Sequence, residues 1–454
     1  MKNRVESIEK FPQEELISAL ENKDHQFILN IAHTLKPADL ALMAQQLSVP
    51  LQIQLFEQIP NAAYVFEHLS LSEQLKLAEK FDFQVFLNLM SAMHSDKEVA
   101  LFKALPQALQ NQLLSKLDTE DKNRLQASSV YHPESAGAIM TSDFVTLPPY
   151  FTMQQSIDEL RQVAADRETL YLIYVTNDDE QLEGVISLRQ IIQSAPTQKI
   201  DEVMSTDLIV GNVNEDQESI ARKLSHYDFI ALPIVDDQDH LLGIVTYDDA
   251  MDVFQQEFTE DVLKGSAVEA SPHISLKSAP IFSLYRKRVF WLVILVFGSL
   301  LSGIGISHFE DIIAANIVLV FFLPLLVGSG GNAGSQSSTL MVRAIATGDV
   351  QLKDWFYLLG RESLVALCLG GTMAIAVSIL GFIRGDEMVA LVLALSMMGI
   401  VLMGCLIGMS LPFILNKFGL DPASASAPLV TSICDATGVI IYLFIASQLL
   451  LNVA

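Results

Sequence analysis

Cysteine is nearly absent from this chain of 454 residues. The three present, Cys368, Cys405 and Cys434, are scattered through apolar runs, which argues against a disulfide framework and against a cysteine-ligated metal cluster. Basic residues are scarce too: 28 Lys and Arg face 53 Asp and Glu, a formal net charge of −25. Nucleic acid is therefore not an expected partner, because phosphate binding needs clustered Lys and Arg. The opening Met1-Lys-Asn-Arg-Val-Glu has no apolar signal core. There is no His-Glu-x-x-His, no phosphate-binding loop and no Ser/His/Asp or Cys/His grouping, and the nine histidines are dispersed. The chain does not read as an enzyme.

What is present is divided unevenly. The first 280 residues hold 44 of the 53 acids and 20 of the 28 bases, while the remainder is nearly neutral and strongly apolar. Five apolar segments, roughly 289–307, 312–342, 363–383, 388–415 and 424–451, are each long enough to cross the hydrocarbon, which takes about 20 residues. Arg286, Lys287, Arg288, Arg343, Lys353, Arg361 and Lys417 fall in loops on one side. By the positive-inside rule the N-terminal region is cytoplasmic and the C-terminus lies outside, in a plasma (inner) membrane.

One carboxylate, Asp435, lies deep in the last segment. A charge at the middle of a span costs at least ~2.5 kcal/mol, so an acid there ordinarily serves a pore or a polar partner. A structural hydrogen bond between helices is the plainer alternative. The second segment runs Gly328-Ser-Gly-Gly-Asn332-Ala-Gly334-Ser-Gln336. Gly330 and Gly334 have small-xxx-small spacing, which allows close helix approach. Asn332 and Gln336 are one turn apart and should share a face, either to meet a hydrated ion or to bond between helices.

The soluble part reads as two modules. Residues 1–130 carry Leu and Ile at helical spacing, broken at Pro37, Pro60 and Pro106, which suggests a small helical solenoid. Residues 131–252 contain a duplication. Tyr174-Val-Thr-Asn-Asp-Asp-Glu-Gln-Leu-Glu-Gly184 matches Pro233-Ile-Val-Asp-Asp-Gln-Asp-His-Leu-Leu-Gly243, and Met140-Thr-Ser-Asp143 matches Met204-Ser-Thr-Asp207. Each copy reads strand, polar turn, strand, helix, with further helices at 153–164 and 216–226. The duplication resembles a tandem CBS pair. That resemblance implies a site for ATP or another adenine nucleotide, with Arg189, Phe229 and Pro233 as candidates, or else a purely dimerising module. Acids gather at its end: Asp248, Asp249 and Asp252, then Glu257, Glu260 and Asp261 on one helix, with Asp216, Glu218 and Asp228 in the second copy. Carboxylates are the ligands that Mg²⁺ prefers, and a solvated helix face is the plainer reading for any one acid.

The expected architecture is thus a multidomain α and α/β chain with a polytopic α-helical membrane domain. Its parts are the helical domain (1–130), the CBS pair (131–252), a connecting helix (253–283) and five transmembrane helices (284–454). This order, together with Pro324-Leu-Leu-Val-Gly-Ser-Gly-Gly-Asn332 and Asp435-Ala-Thr-Gly438, resembles the MgtE family of magnesium channels and transporters over essentially the full chain. The resemblance implies a homodimer in the lipid bilayer whose second and fifth spans line a pore, with Asp435 binding Mg²⁺. It also implies that cytosolic Mg²⁺ bridges acids of the three cytosolic parts and closes the pore. Asp216, Glu218, Asp228, Asp249, Asp252, Glu260 and Asp261 are the implied sensor acids, and Asp96 (or Glu98) is their partner in the helical domain. Asn332, Glu257 and Asp421 complete the candidate cation ligands. Two rival readings remain: a divalent-cation carrier coupled to H⁺ or Na⁺, and a membrane sensor of Mg²⁺ or nucleotide that transports nothing.

Overall fold

The computed structural model describes residues 13–117, 119–163, 169–269 and 280–450. The chain divides between Gln255 and Gln256 into two compact units. The start of the expected helical domain (residues 1–12) and residues 270–279 of the expected connecting helix lie outside the described residues.

In the first unit, short helices follow one another from Gln13–Glu21 to Thr119–Ser129. Local chemistry sets their boundaries. Asp24 and Asp82 cap the helices that follow them by accepting from the Phe27 and Gln84 amides, and Pro37 and Pro50 occupy first-turn positions where no amide is needed. Leu, Ile and Phe side chains from successive helices form one continuous core, with Phe56, Phe66, Phe81 and Phe86 in ring contact. A glutamine ties helix to helix three times over. Gln52 donates to Ala44 O, Gln74 to Phe66 O and Gln110 to Phe102 O, each at 2.8–2.9 Å and each eight residues back. Each amide adds a second hydrogen bond to a carbonyl in the last turn of the preceding helix, which also accepts a backbone amide.

The CBS pair contains two three-stranded sheets with the same topology. β1 (Thr146–Leu147) is parallel to β2 (Leu172–Thr176), which is antiparallel to β3 (Leu182–Ser187). The second copy repeats this in β4 (Gly211–Asn212), β5 (Ala231–Val235) and β6 (Leu241–Thr246). The copies exchange their leading segments: Thr141 pairs with Ile244 and Ser205 with Val185. The matched residues of the duplication meet here. A Cβ on Gly184 would lie 2.5 Å from Met204 Sδ, and one on Gly243 2.8 Å from Met140 Sδ. β6 runs directly into the connecting helix Tyr247–Gly265, whose first turn carries Asp248 and Asp249.

The second unit contains five helices long and apolar enough to cross a membrane, among the described residues. They are Ile281–His308, Val318–Ala346, Trp355–Arg384, Glu387–Lys417 and Ala427–Leu450, taken below as the first to fifth spans. The core lies among the second, third, fourth and fifth. Two small-xxx-small pairs bring the second and fourth spans together. Gly330 and Gly334 face Gly404 and Gly408 so closely that a Cβ on Gly334 would sit 2.8 Å from Gly404 O, and Cβ atoms on Gly404 and Gly408 would overlap Gly330 O and Gly334 O. Tyr442, fully buried on the fifth span, donates to Leu319 O at 3.0 Å. Replacing Gly408 with Val should separate the second and fourth spans and lower stability by roughly 1–3 kcal/mol. The check is the thermal midpoint of the detergent-purified chain against Gly360→Val, a position with nothing within 4 Å.

Candidate functional site

The membrane site is built on the second and fifth spans. Hydroxyls fasten the two together: Ser335 pairs with Thr431 at 3.1 Å and donates to Ala427 O at 3.3 Å, and Ser338 donates to Ala425 O at 2.9 Å. Asp435 is half-buried one turn beyond Thr431. Its carboxylate lies across Gly331, where a Cβ would stand 3.5 Å from Asp435 Oδ1 and 2.9 Å from Thr431 Cγ2. The glycine thus makes room for the acid. Asn332 and Gln336 share one exposed face of the second span, as their spacing predicts, and Thr339 continues it. Ser335, Gln336, Thr339 and Leu340 line a cleft of about 440 Å³ on the same helix. Asp435 therefore stands beside Gly331 and the Thr431 side chain, next to a helix whose neighbouring exposed face carries amides. Among the described residues no group of three His, Cys, Asp or Glu is placed to hold a metal ion. Such a wall suits an ion that keeps its water shell.

A second membrane acid escaped sequence reasoning. Glu362, on the third span, accepts from Ser337 of the second span at 2.5 Å. Hydropathy begins the third segment at 363 and assigns Glu362 to the loop, whereas the helix starts at Trp355. The neighbouring Arg361 was the misleading signal.

The cytosolic acids fall into separate groups. Asp96, in the first turn of the helix Ser95–Ala104, and Asp249, in the first turn of the connecting helix, are both buried and face one ammonium. Lys97 Nζ lies 3.2 Å from Asp96, 2.8 Å from Asp249 and 3.5 Å from Asp252. Burial pushes the Asp96 carboxyl up to about 6, against the pull of Lys97 and with the help of Asp249. Burial alone would depress the Lys97 ammonium, but Asp96 and Asp249 outweigh it and raise the ammonium above its ordinary value. Beside this group Ser95 pairs with Thr141 at 2.9 Å, joining the helical domain to the CBS pair. Glu98, 1 % exposed, is bridged by Arg124 at 2.8 Å through one oxygen, and its other oxygen is without a hydrogen bond. Burial raises the Glu98 carboxyl to about 7, with Arg124 opposing.

Farther along the connecting helix, Glu260 meets Lys264, and Lys264 donates to Asp421 at 2.6 Å. Asp421 also caps the turn before the fifth span by accepting from the Ala423 amide. Glu257 and Asp261 lie on the same helix. Asp216 and Glu218 are at the start of the helix Gln217–His226, where Asp216 caps the Glu218 and Ser219 amides and Glu218 pairs with Arg222. Asp228 follows the other end of that ten-residue helix at a φ of 54°, so a single chain does not unite it with Asp216 and Glu218. It lines, instead, a cavity of about 640 Å³ together with Arg189, Phe229, Tyr171 and Ser187. Two of the three nucleotide candidates are thus brought together. Pro233 is not among the lining residues: it sits inside β5, paired with Ile244. Gln190 is committed to a capping box, its Oε1 accepting from the Ser187 amide at 2.8 Å and the Ser187 hydroxyl at 2.7 Å.

Comparison with known proteins identifies the domains that carry these groups. Family models match three stretches: MgtE intracellular N domain over 35–134, CBS domain over 136–196 and 200–256, and MgtE, divalent cation transporter, over 323–445. The chain is 34% identical over 440 residues to a magnesium transporter MgtE of Thermus thermophilus, covering 96% of this chain and 98% of the relative. It is 33% identical to a magnesium transporter MgtE of Bacillus subtilis, covering 79% of each. A crystal structure of the cytosolic domain of the Mg²⁺ channel MgtE in complex with ATP superposes with a TM-score of 0.51 at 29% identity, covering 53% of this chain and all of that one.

The Glu98 carboxyl gives a signed pH dependence. Its folded value, about 7, lies above the ordinary 4.5, so the protonated form favours folding. That contribution is complete below about pH 4 and is lost as pH rises through 7. Between about pH 5 and 8, without divalent cations, the native chain should lose stability relative to Glu98→Gln by on the order of 2–3 kcal/mol. Thermal unfolding of the full chain in detergent measures this; parallel pH profiles for the two proteins would refute it.

Proposed function

The chain belongs to the MgtE family of divalent cation transporters, and from that premise we propose that it conducts Mg²⁺ through a pore formed between two copies and closed by cytosolic Mg²⁺. Membership of a transporter family accords with the lack of enzymatic motifs. The observation that carries the reading is the Asp435 environment: one carboxylate seated over Gly331, beside an exposed face of Asn332, Gln336 and Thr339.

Mg²⁺ surrenders its waters reluctantly and is bound by one or two carboxylates with water completing the shell. Two Asp435 side chains across a two-fold axis supply that charge, and the amides and hydroxyls of the second span accept or donate to the waters. Further carboxylates would hold the ion too tightly to let it leave. The polar face of the second span is exposed in a single copy, which supports pairing along it. In the membrane orientation given by the loop charges, the acid-rich unit meets cytosolic ions and the C-terminus lies outside. Cations that bind the closed form of that unit better than the open form shift the equilibrium toward closure. Asp96, Asp249 and Asp252 supply its negative charge, with Asp216, Glu218 and Asp228 completing the set in the dimer, and Glu257, Glu260, Asp261 and Asp421 are the candidate cation ligands of the second unit.

The 640 Å³ cavity suits an adenine nucleotide. The Phe229 ring offers a stacking face to the base and the Arg189 guanidinium a partner for phosphate. The ATP complex of the related cytosolic domain supports the same ligand.

Reconstituted into proteoliposomes, the protein should pass Mg²⁺ when the cytosolic face is held at low Mg²⁺, and flux should fall when that face is raised. Asp435→Ala should cut flux at least about tenfold, the equivalent of 1.4 kcal/mol in the barrier. Full flux in that variant would sink the pore assignment, and flux indifferent to cytosolic Mg²⁺ would sink the gate. Separately, Arg189→Ala should weaken ATP binding to the full chain by about tenfold or more, a loss of at least 1.5 kcal/mol for a charged contact; an unchanged isotherm would move the nucleotide elsewhere.

A further inference from the structure

Three carboxylates from two elements converge on one side chain of the helical domain. Asp96 belongs to the helix Ser95–Ala104, and Asp249 and Asp252 belong to the connecting helix. Their oxygens stand 3.2, 2.8 and 3.5 Å from Lys97 Nζ. Asp249 is also held by the Thr246 hydroxyl at 2.7 Å, which fixes the carboxylate in place before any cation arrives. A buried pair of like charges drawn from separate elements repels unless a cation stands between them. Here the chain carries that cation itself.

We infer that Lys97 is a built-in counter-ion, its ammonium taking the place between Asp96 and Asp249 that a divalent cation would otherwise occupy, so that the helical domain stays docked on the connecting helix without metal. In function this rests on the cation-bridged gate proposed above, since it names the joint of that gate that Lys97 holds when metal is absent. A tethered ammonium acts at a fixed, high local concentration, whereas a free ion must be recruited from solution. Divalent metal must displace Lys97 to reach the same oxygens. Lys97 has a flexible four-carbon stem and is about one-third exposed, so it can leave, but the displacement raises the Mg²⁺ needed to fill the site. One ammonium against three carboxylates leaves the group net negative, so metal is still attracted once its concentration is high. Lys264, between Glu260 and Asp421, repeats the arrangement within the membrane unit.

The test uses the full chain in detergent, with Cys368 replaced by Ser because it is exposed. Nitroxide labels are placed at the exposed Gln107 of the helical domain and Glu202 of the CBS pair. Pulsed electron-spin distances are recorded in EDTA and in saturating Mg²⁺. The native chain should give one narrow distance in both. Lys97→Gln should broaden to longer distances in EDTA and return to the narrow native distance in Mg²⁺. Lys97→Arg, which keeps the charge, should stay narrow in EDTA, and this separates loss of the cation from loss of fold. A native chain that opens in EDTA as far as Lys97→Gln overturns the inference. So does a Lys97→Gln variant that stays docked in EDTA, or one that Mg²⁺ fails to restore. The readout is docking alone, so a failure of Mg²⁺ flux or of its gating would leave this result standing.

Discussion

A carboxylate withdrawn from water must be met by positive charge or by donors, and this requirement organises both units of the protein. In the cytosolic unit the burial of Asp96 and Asp249 is tolerable because Lys97 stands between them, and the burial of Glu98 because Arg124 reaches one of its oxygens. The second Glu98 oxygen has no hydrogen bond, and the carboxyl answers by holding its proton to a higher pH. In the membrane unit Asp421 is met by Lys264 and by the Ala423 amide. The acids that gave the chain its charge of −25 are therefore not all a solvated surface. Several are structural joints held by a lysine or an arginine.

Backbone packing sets where the membrane acid can be. The second span approaches the fourth along Gly330, Gly334, Gly404 and Gly408, leaving no room for side chains between them. That contact turns Gly331 toward the fifth span, where the missing Cβ leaves space for Asp435 and Thr431. Asn332 and Gln336 are thereby turned outward from the single copy. The glycine run is thus two devices in one helix: a close interface on one side and a seat for a carboxylate on the next. In lipid, where apolar surface gives no drive for helices to associate, such close packing and interhelical hydroxyl bonds supply the association.

Much of this was legible in the residues. The duplication was visible because each Met-x-x-Asp segment must fit the Gly of the opposite copy, so Met140 and Gly243, and Met204 and Gly184, are constrained as pairs. Asp435 was visible because an acid in an apolar run has few innocent explanations. Other features were hidden for physical reasons. Lys97 and Asp249 are 152 residues apart, and no spacing rule joins them; only the fold does. Glu362 was masked by Arg361, which made a helix look like a loop. Pro233 was a nucleotide candidate only through the resemblance to CBS pairs, and β5 holds it in register with Ile244, away from the residues that line the cavity. The three glutamines that tie successive helices through an eight-residue reach were legible in principle, since Gln52, Gln74 and Gln110 occupy equivalent turns, but no apolar periodicity reports a polar tie.

The two kinds of acidic site are compensated in opposite ways, and the difference follows from what each must do. Asp421, Asp96 and Asp249 each have a lysine within salt-bridge distance. Asp435 lies against Gly331 and beside Thr431, and the stretch of the second span from Gly328 to Leu340 carries no charge. A fixed ammonium beside Asp435 would satisfy the carboxylate permanently and repel a passing cation, and additional carboxylates would trap one. A joint between domains has the reverse requirement, because it must hold until something competes. Tethered cations suit joints, and neutral polar walls suit a path. Lysines stand at Asp96, Asp249 and Asp421 and, among the described residues, none pairs with Asp435, a distribution of charge that the two requirements account for.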